Sequence, residues 1–151
     1  SMMLFIRTNS AHIDFGALVA KLDDDLKIRD GEDHAFYAQF NKTASLQQVV
    51  IAYENEKAIG CGALRPYAPG SIEIKRMYVA PEKRKKGIAT GILKELEKWA
   101  KELNYHQCIL ETGKNQPEAI ALYFKNNYQI VPNFGQYTKS DNSLCFEKTL
   151  G

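Results

Sequence analysis

The run Arg84-Lys85-Lys86-Gly87-Ile88-Ala89 stands where a strand-forming stretch gives way to an amphipathic helix. A helix start leaves main-chain N–H groups without intrahelical acceptors, and the helix dipole adds positive potential, so this corner suits an anion. Gly87 carries no Cβ, which lets a phosphate approach the main chain, and Lys83, Arg84, Lys85 and Lys86 add cationic attraction. A solvated basic turn ahead of a helix would contain the same residues. At a glycine frequency of ~7%, the pattern Arg/Gln-x-x-Gly-x-Gly/Ala, of which this run is a case, recurs by chance in about one chain in seven of this length, so the flanking elements must decide its meaning.

Other chemistries are poorly supplied. His12, His34 and His106 are scattered without ligand spacing, which predicts no metal site. No Ser/His/Asp or Cys/His set lies in a turn that would expose a nucleophile, which argues against a covalent acyl-enzyme. Cys61, Cys108 and Cys145 stand far apart in apolar sequence with no Cys-x-x-Cys pair, the pattern of buried thiols in a reducing compartment.

The elements that must position the basic corner follow from hydrophobic periodicity. Leu4 to Thr8 reads as a strand. Asp14 is placed to cap a helix carrying Leu18, Val19, Leu22 and Leu26, and a second short helix is predicted from Glu32 to about Phe40. Val49 to Glu54 and Lys57 to Leu64 form a hairpin across Asn55-Glu56, with Pro66 and Pro69-Gly70 stopping the second strand. Ser71 to Val79 is a further strand, whose alternate residues must face opposite sides of a sheet. Ile88, Ile92, Leu93, Leu96, Trp99, Ala100 and Leu103 mark one face of a long helix, with Glu95, Glu97, Lys98 and Lys101 on the other. Cys108 to Thr112 is a short strand. Asn115-Gln116-Pro117-Glu118 supplies a capping Asn, a first-turn Pro and an acid, the start of a helix through about Lys125. Tyr128 to Val131 and Ser143 to Thr149 close the chain as strands, separated by a turn-rich loop from Pro132 to Asn142. The order predicts a mixed α/β (α+β) fold in a single domain over residues 2–150, Ser1 reading as a cloning remnant.

Glu73-Ile-Lys-Arg-Met-Tyr-Val-Ala-Pro81 followed by Arg84 to Ala89 resembles the central acetyl-CoA-binding motif of the GNAT superfamily of N-acetyltransferases. The block Asn115 to Tyr128, with its Leu122-Tyr123 pair, resembles that superfamily's next conserved segment, and the element order fits its fold along nearly the whole chain. The resemblance implies a central mixed, mostly antiparallel sheet flanked by helices, and acetyl-CoA as acetyl donor. It implies that the turn amides of Arg84, Lys85, Lys86, Gly87, Ile88 and Ala89, with Thr90, bind the pyrophosphate. The main chain of Met77, Tyr78 and Val79 would pair with the pantetheine arm as an added strand, with an N–H of Met77 or Val79 as oxyanion donor. Asn115 would hold the same arm, cap the helix, or do both. Glu73 is at the position where several members carry a general base, its alternative being a plain pairing with Lys75 or a basic substrate, and Tyr123 is at that of the phenol that protonates or hydrogen-bonds the coenzyme A sulfur, its alternative being a packed helix Tyr with its hydroxyl toward solvent. Direct transfer to an amine in a ternary complex is the implied mechanism.

Asp23, Asp24, Asp25, Glu32 and Asp33 fall in the segment that borders the acceptor pocket in that superfamily, where they would attract a cationic amine or simply solvate the surface. The loop from Pro132 to Asn142, with the aromatics Phe134, Tyr137 and nearby Tyr128, is a candidate for the opposite wall, its alternative being plain packing. Of 151 residues, 20 are Lys or Arg and 18 Asp or Glu, so the chain has no overall charge bias toward nucleic acid. No apolar run approaches the ~20 residues of a membrane span, and a cytoplasmic location is expected. Two alternatives share these residues: a non-catalytic acyl-CoA-binding sensor or interaction module, and a nucleic-acid module using Lys75, Arg76 and Lys83 to Lys86. The acceptor is expected to be a small-molecule or peptide amine, and an exposed final strand would allow a homodimer.

Overall fold

The computed structural model describes residues 2–38 and 45–151. Seven strands form one sheet: β1 (Met3–Thr8), β2 (Gln48–Glu54), β3 (Lys57–Ala68), β4 (Ser71–Val79), β5 (Gln107–Gly113), β6 (Gln129–Val131) and β7 (Ser143–Thr149). Their spatial order is β1-β2-β3-β4-β5-β7-β6. All neighbouring pairs are antiparallel except β4 with β5, so the sheet is mixed and mostly antiparallel, as expected. The helices are α1 (Ile13–Asp30), α2 (His34–Ala38), α3 (Ile88–Glu102) and α4 (Pro117–Lys125).

Alternation along the strands divides the core into two layers. Val50, Ala52, Leu64, Ile72 and Ile74 meet Ile88, Ile92, Leu93, Leu96 and Ala100 of α3 on one face, together with Tyr123 and Phe146. Val49, Ile51, Cys61, Ala63 and Tyr78 meet Phe15, Leu18, Val19 and Leu22 of α1 on the other. Each α3 side chain of this set is at least nine-tenths buried, which contributes roughly 1.5–3 kcal/mol for each of its large aliphatic residues. Among the described residues no helix is long and apolar enough to cross a membrane.

The structure corrects the sequence reading at five places. β3 runs past Pro66 to Ala68, because β2 ends opposite Leu64 and leaves that side of β3 an edge where a residue without an N–H is tolerated. His12, not Asp14, caps α1: its Nδ1 accepts the Asp14 N–H at 3.0 Å, while Asp14 accepts the Tyr53 hydroxyl at 2.6 Å. Glu97 is not on a solvated face; it is buried and accepts from the Tyr128 hydroxyl and from Lys148, each at 2.8 Å. Asn115 is not the cap of α4, since Gln116 holds that position and no side chain bonds the first turn. The final strand is not exposed, because β6 covers it beyond β5. The second predicted helix is present as a 3-10 turn over Gly31–Asp33 followed by α2, and its predicted end at about Phe40 lies outside the described residues.

Leu96 is fully buried between α3 and the sheet. Leu96→Ala is expected to lower unfolding stability by about 2–5 kcal/mol, seen as a lower urea midpoint with an unchanged m value.

Candidate active site

The site begins as a failure of pairing between two strands. Parallel β4 and β5 pair only at Ser71↔Gln107, Ile72↔Cys108 and Glu73↔Ile109, although β4 continues to Val79 and β5 to Gly113. Beyond Glu73 the strands part and leave a slot through the sheet. β4 also carries a bulge: Lys75 pairs with Ala63 and Tyr78 with Cys61, so Arg76 and Met77 oppose Gly62 alone, and Arg76 takes φ +59°. Strict alternation therefore breaks. Glu73, Lys75 and Arg76 all face the α1 side, Met77 and Val79 return to the α3 side, and Tyr78 packs on α1.

A cavity of about 710 Å³ occupies this slot. At one end its wall is Gly87, Ile88 and Ala89 with Leu122 and Tyr123 of α4; at the other it is Tyr37, Glu73, Lys75, Glu111 and Tyr137. The slot thus joins the basic corner on one face to a cluster of titratable side chains on the other.

At the basic corner, Lys85 and Gly87 take left-handed φ of 63° and 81°. Gly87 is the N-cap residue of α3 and offers no side chain to its free amides. Among the described residues the N–H groups of 85 to 90 have no main-chain or side-chain acceptor. A Cβ on Gly87 would meet nothing within 4 Å, so the corner is open rather than plugged. Six unpaired donors, the helix start and exposed Lys85 and Lys86 make a receptor for a phosphate group. Arg84 serves differently. Its N–H is bonded to the Pro81 carbonyl at 3.3 Å and its Nε to the Val79 carbonyl at 2.8 Å, while its guanidinium lies over the Tyr78 ring and 3.8 Å from Asp25. It braces the loop. Lys83 is engaged by Glu54, and the Thr90 hydroxyl accepts from Asn126 at 3.2 Å. Asn115 is exposed and stands outside the cavity wall, where its neighbour Gln116 is found instead.

At the other end, Glu73 is 4% exposed, 3.7 Å from the Lys75 ammonium and 3.5 Å from the Tyr137 hydroxyl. Burial raises its pKa, with Lys75 and Arg65 opposing. Lys75, equally buried, is shifted down by loss of hydration against the pull of Glu73. Glu111 on β5 shares their side of the sheet. Its Oε2 accepts the Ser143 hydroxyl at 2.6 Å, it has no cation within ion-pair distance among the described residues, and burial pushes its pKa up to about 7. Tyr123 is buried against Tyr128 and Phe146, and loss of hydration holds its phenol well above the ordinary value, so it stays protonated.

The acidic segment divides by position. Asp25 and Asp30 line the cavity, Asp23 pairs with buried Arg76, and Asp24 and Glu32 are solvated. Of the three aromatics, Tyr137 reaches the cavity, Phe134 packs on Tyr67 with ring centres 5.2 Å apart, and Tyr128 is core. The cysteines are buried, with Cys61 and Cys108 pushed up to about 12, which removes them as nucleophiles at neutral pH.

The profile of the acetyltransferase (GNAT) family matches residues 17–128, from within α1 to the residue before β6. The chain belongs to the GNAT family. An IAA acetyltransferase from Azospirillum brasilense is 34% identical over 102 residues, 67% of either chain. Across 99% of both chains this GNAT protein superposes, with a TM-score of 0.83 and 28% identity, on a Klebsiella pneumoniae structure assigned to the acyl-CoA N-acyltransferases. The PaiA N-acetyltransferase of Thermoplasma acidophilum in complex with coenzyme A has the same fold, with a TM-score of 0.74 at 18% identity over 99% of both chains.

Sequence reasoning named Lys75 as the ion-pair partner of Glu73, which it is, but missed Glu111, Tyr37 and Ser143 as parts of this GNAT site. The signal for Glu111 was present: a carboxylate inside the apolar strand Cys-Ile-Leu-Glu-Thr has no reason to be there unless something needs it. Its pKa is raised from the unfolded value, so the stabilising contribution of its protonated form is complete below about pH 4 to 5 and is lost as pH rises through about 7. Glu111→Gln is therefore expected to raise the melting temperature at pH 8, by no more than about 3 kcal/mol in stability, and to change it little at pH 5.

Proposed function

We propose that residues 2–150 act as an N-acetyltransferase domain that moves the acetyl group of acetyl-CoA to a primary amine by direct attack in a ternary complex. The observation that carries this reading is the cavity through the β4–β5 slot, with six amides unpaired among the described residues at one end and buried Glu73, Lys75 and Tyr137 with half-buried Glu111 at the other. The coenzyme A complex of the PaiA relative, and the acetyltransferase activity in the name of the Azospirillum relative, support the donor and the reaction class.

In this reading the amides of Lys85 to Thr90 hold the pyrophosphate, and Lys85 and Lys86 add charge. The edge of β4 at Met77, Tyr78 and Val79, left without a β5 partner, pairs with the amide-bearing pantetheine arm. An N–H of Met77 or Val79 stabilises the oxyanion. The amine nitrogen attacks the thioester carbonyl, the C–N bond forms, and the C–S bond breaks. The amine's proton passes to a carboxylate and the sulfur takes one from Tyr123, whose high pKa keeps a proton available. Two carboxylates face the acceptor end. Glu73 already holds Lys75, whereas Glu111 has no cation within ion-pair distance among the described residues and an affinity for protons matched to neutral pH, so Glu111 takes the proton while Glu73 and Lys75 orient the amine. Asp25 and Asp30 at the rim favour a cationic acceptor. Three buried thiols fit a reducing, cytoplasmic setting.

Acetyl-CoA at 100 times its Kd is expected to stabilise the protein by about 2.7 kcal/mol, seen as a rise in melting temperature. Thiol release with a panel of amino acids, diamines and arylalkylamines tests turnover. Glu111→Gln and Tyr123→Phe are each expected to lower kcat by about 10²- to 10⁴-fold with the donor's effect on melting retained. Donor binding with no turnover for any amine, unaffected by either variant, would instead establish a non-catalytic acyl-CoA sensor.

A further inference from the structure

Glu111 does not stand alone. Its Oε2 accepts the Ser143 hydroxyl at 2.6 Å; Ser143 Oγ is 2.8 Å from Ser140 Oγ and 3.2 Å from the Tyr37 hydroxyl, and Tyr37 is 2.8 Å from Ser140 Oγ. Ser143 has one proton to donate, and a carboxylate is the stronger acceptor, so Ser143 Oγ must itself accept from Tyr37 or Ser140. That direction strengthens the bond to Glu111, since a hydroxyl that accepts becomes a better donor. Tyr37 and Ser143 are 7% and 2% exposed, while Ser140 is half-buried. The three hydroxyls come from α2, from the loop before β7 and from the first residue of β7. A second tie joins the same parts, Asn142 donating to the Asp33 carboxylate beside α2.

We infer that Ser143, backed by Tyr37 and Ser140, is a positioning residue for Glu111: it fixes the carboxylate toward the cavity and holds it in its charged, proton-accepting form while α2 is docked. This inference rests on the assignment of Glu111 as proton acceptor. The groups facing Glu111 are Glu73 and Lys75 from β4, Asp30 from α1, Tyr123 from α4, Tyr137 from the loop before β7 and Cys145 beside it on β7. Among the described residues Glu73 and Asp30 oppose its charge, Lys75 favours it from a distance, and the Ser143 hydroxyl supplies the one direct hydrogen bond to the charged form. Tyr37 makes the arrangement conditional, because a displaced α2 would withdraw a donor from Ser143.

The test reads Glu111 itself. In protein carrying ¹³Cδ-glutamate, the resonance that Glu111→Gln removes is followed against pH in the unliganded wild type, Ser143→Ala, Ser143→Thr and Tyr37→Phe. Ser143→Ala is expected to move the titration up by about one pH unit or more, Tyr37→Phe by less in the same direction, and Ser143→Thr to restore the wild-type midpoint. The acid limb of the kcat/KM profile for the best amine of the panel should follow the same shifts. If neither Ser143→Ala nor Tyr37→Phe moves the midpoint while Glu111→Gln abolishes turnover, the positioning role is wrong and the proton-acceptor assignment stands. If Glu111→Gln keeps wild-type turnover and pH profile, the assignment falls and this inference falls with it.

Discussion

Everything in this protein that resembles a site depends on β4 and β5 parting company after three pairs. A parallel pair that continued to Val79 would saturate the main-chain groups of Met77 to Val79 and close the sheet. The two faces would then be separate, with the amides of the α3 start on one side and Glu73, Glu111 and Lys75 on the other. Unpaired main-chain groups lining a cavity are costly unless water or a ligand satisfies them. The slot is therefore a place where an extended molecule bearing its own amides is favoured. The bulge at Arg76 acts with it, since the extra residue puts Lys75 and Arg76 on one side and turns the following main chain toward the gap.

Around the slot, charged side chains set how close the helices stand rather than how stable the protein is. Arg29 at the end of α1 reaches Glu118 of α4 at 3.0 Å and Asp25 at 3.4 Å, and Asp25 in turn approaches Arg84 of the basic corner. These half-exposed pairs contribute little to folding. They do connect the helix on one face of the sheet to both elements that frame the cavity on the other. Arg84 illustrates the economy: a cation in a phosphate-binding motif spends its donors on the Val79 carbonyl and on Pro81's turn, keeping the next six amides in place and free.

The fold was legible wherever one face of an element is buried and the other wet. The α3 stripe, the strands, the hairpin at Asn55-Glu56 and the α1 stripe of Leu18, Val19 and Leu22 follow from periods of 3.6 and 2. Legibility failed where a partner distant in sequence changed a residue's environment. Glu97 lies on the polar side of its helix by pattern, yet Tyr128 and Lys148 cover it. Pro66 reads as a stop, yet the neighbouring strand has ended and a missing N–H costs nothing there. Asn115 reads as a cap, yet the chain enters α4 one residue later.

The same division runs through the site. A free-amide corner at Gly87 is a local matter, set by a glycine in left-handed conformation, a helix that starts without a capping side chain and lysines beside it, so the residues alone determine it. How far the proton affinity of a carboxylate in the slot departs from its ordinary value is not local. Glu73 and Glu111 are the same residue type in similar strands, and burial raises the proton affinity of both; Lys75 opposes that rise at Glu73, and the Ser143 hydroxyl opposes it at Glu111. Desolvation and charge depend on everything within a few ångströms in space, and only the folded sheet decides what that is.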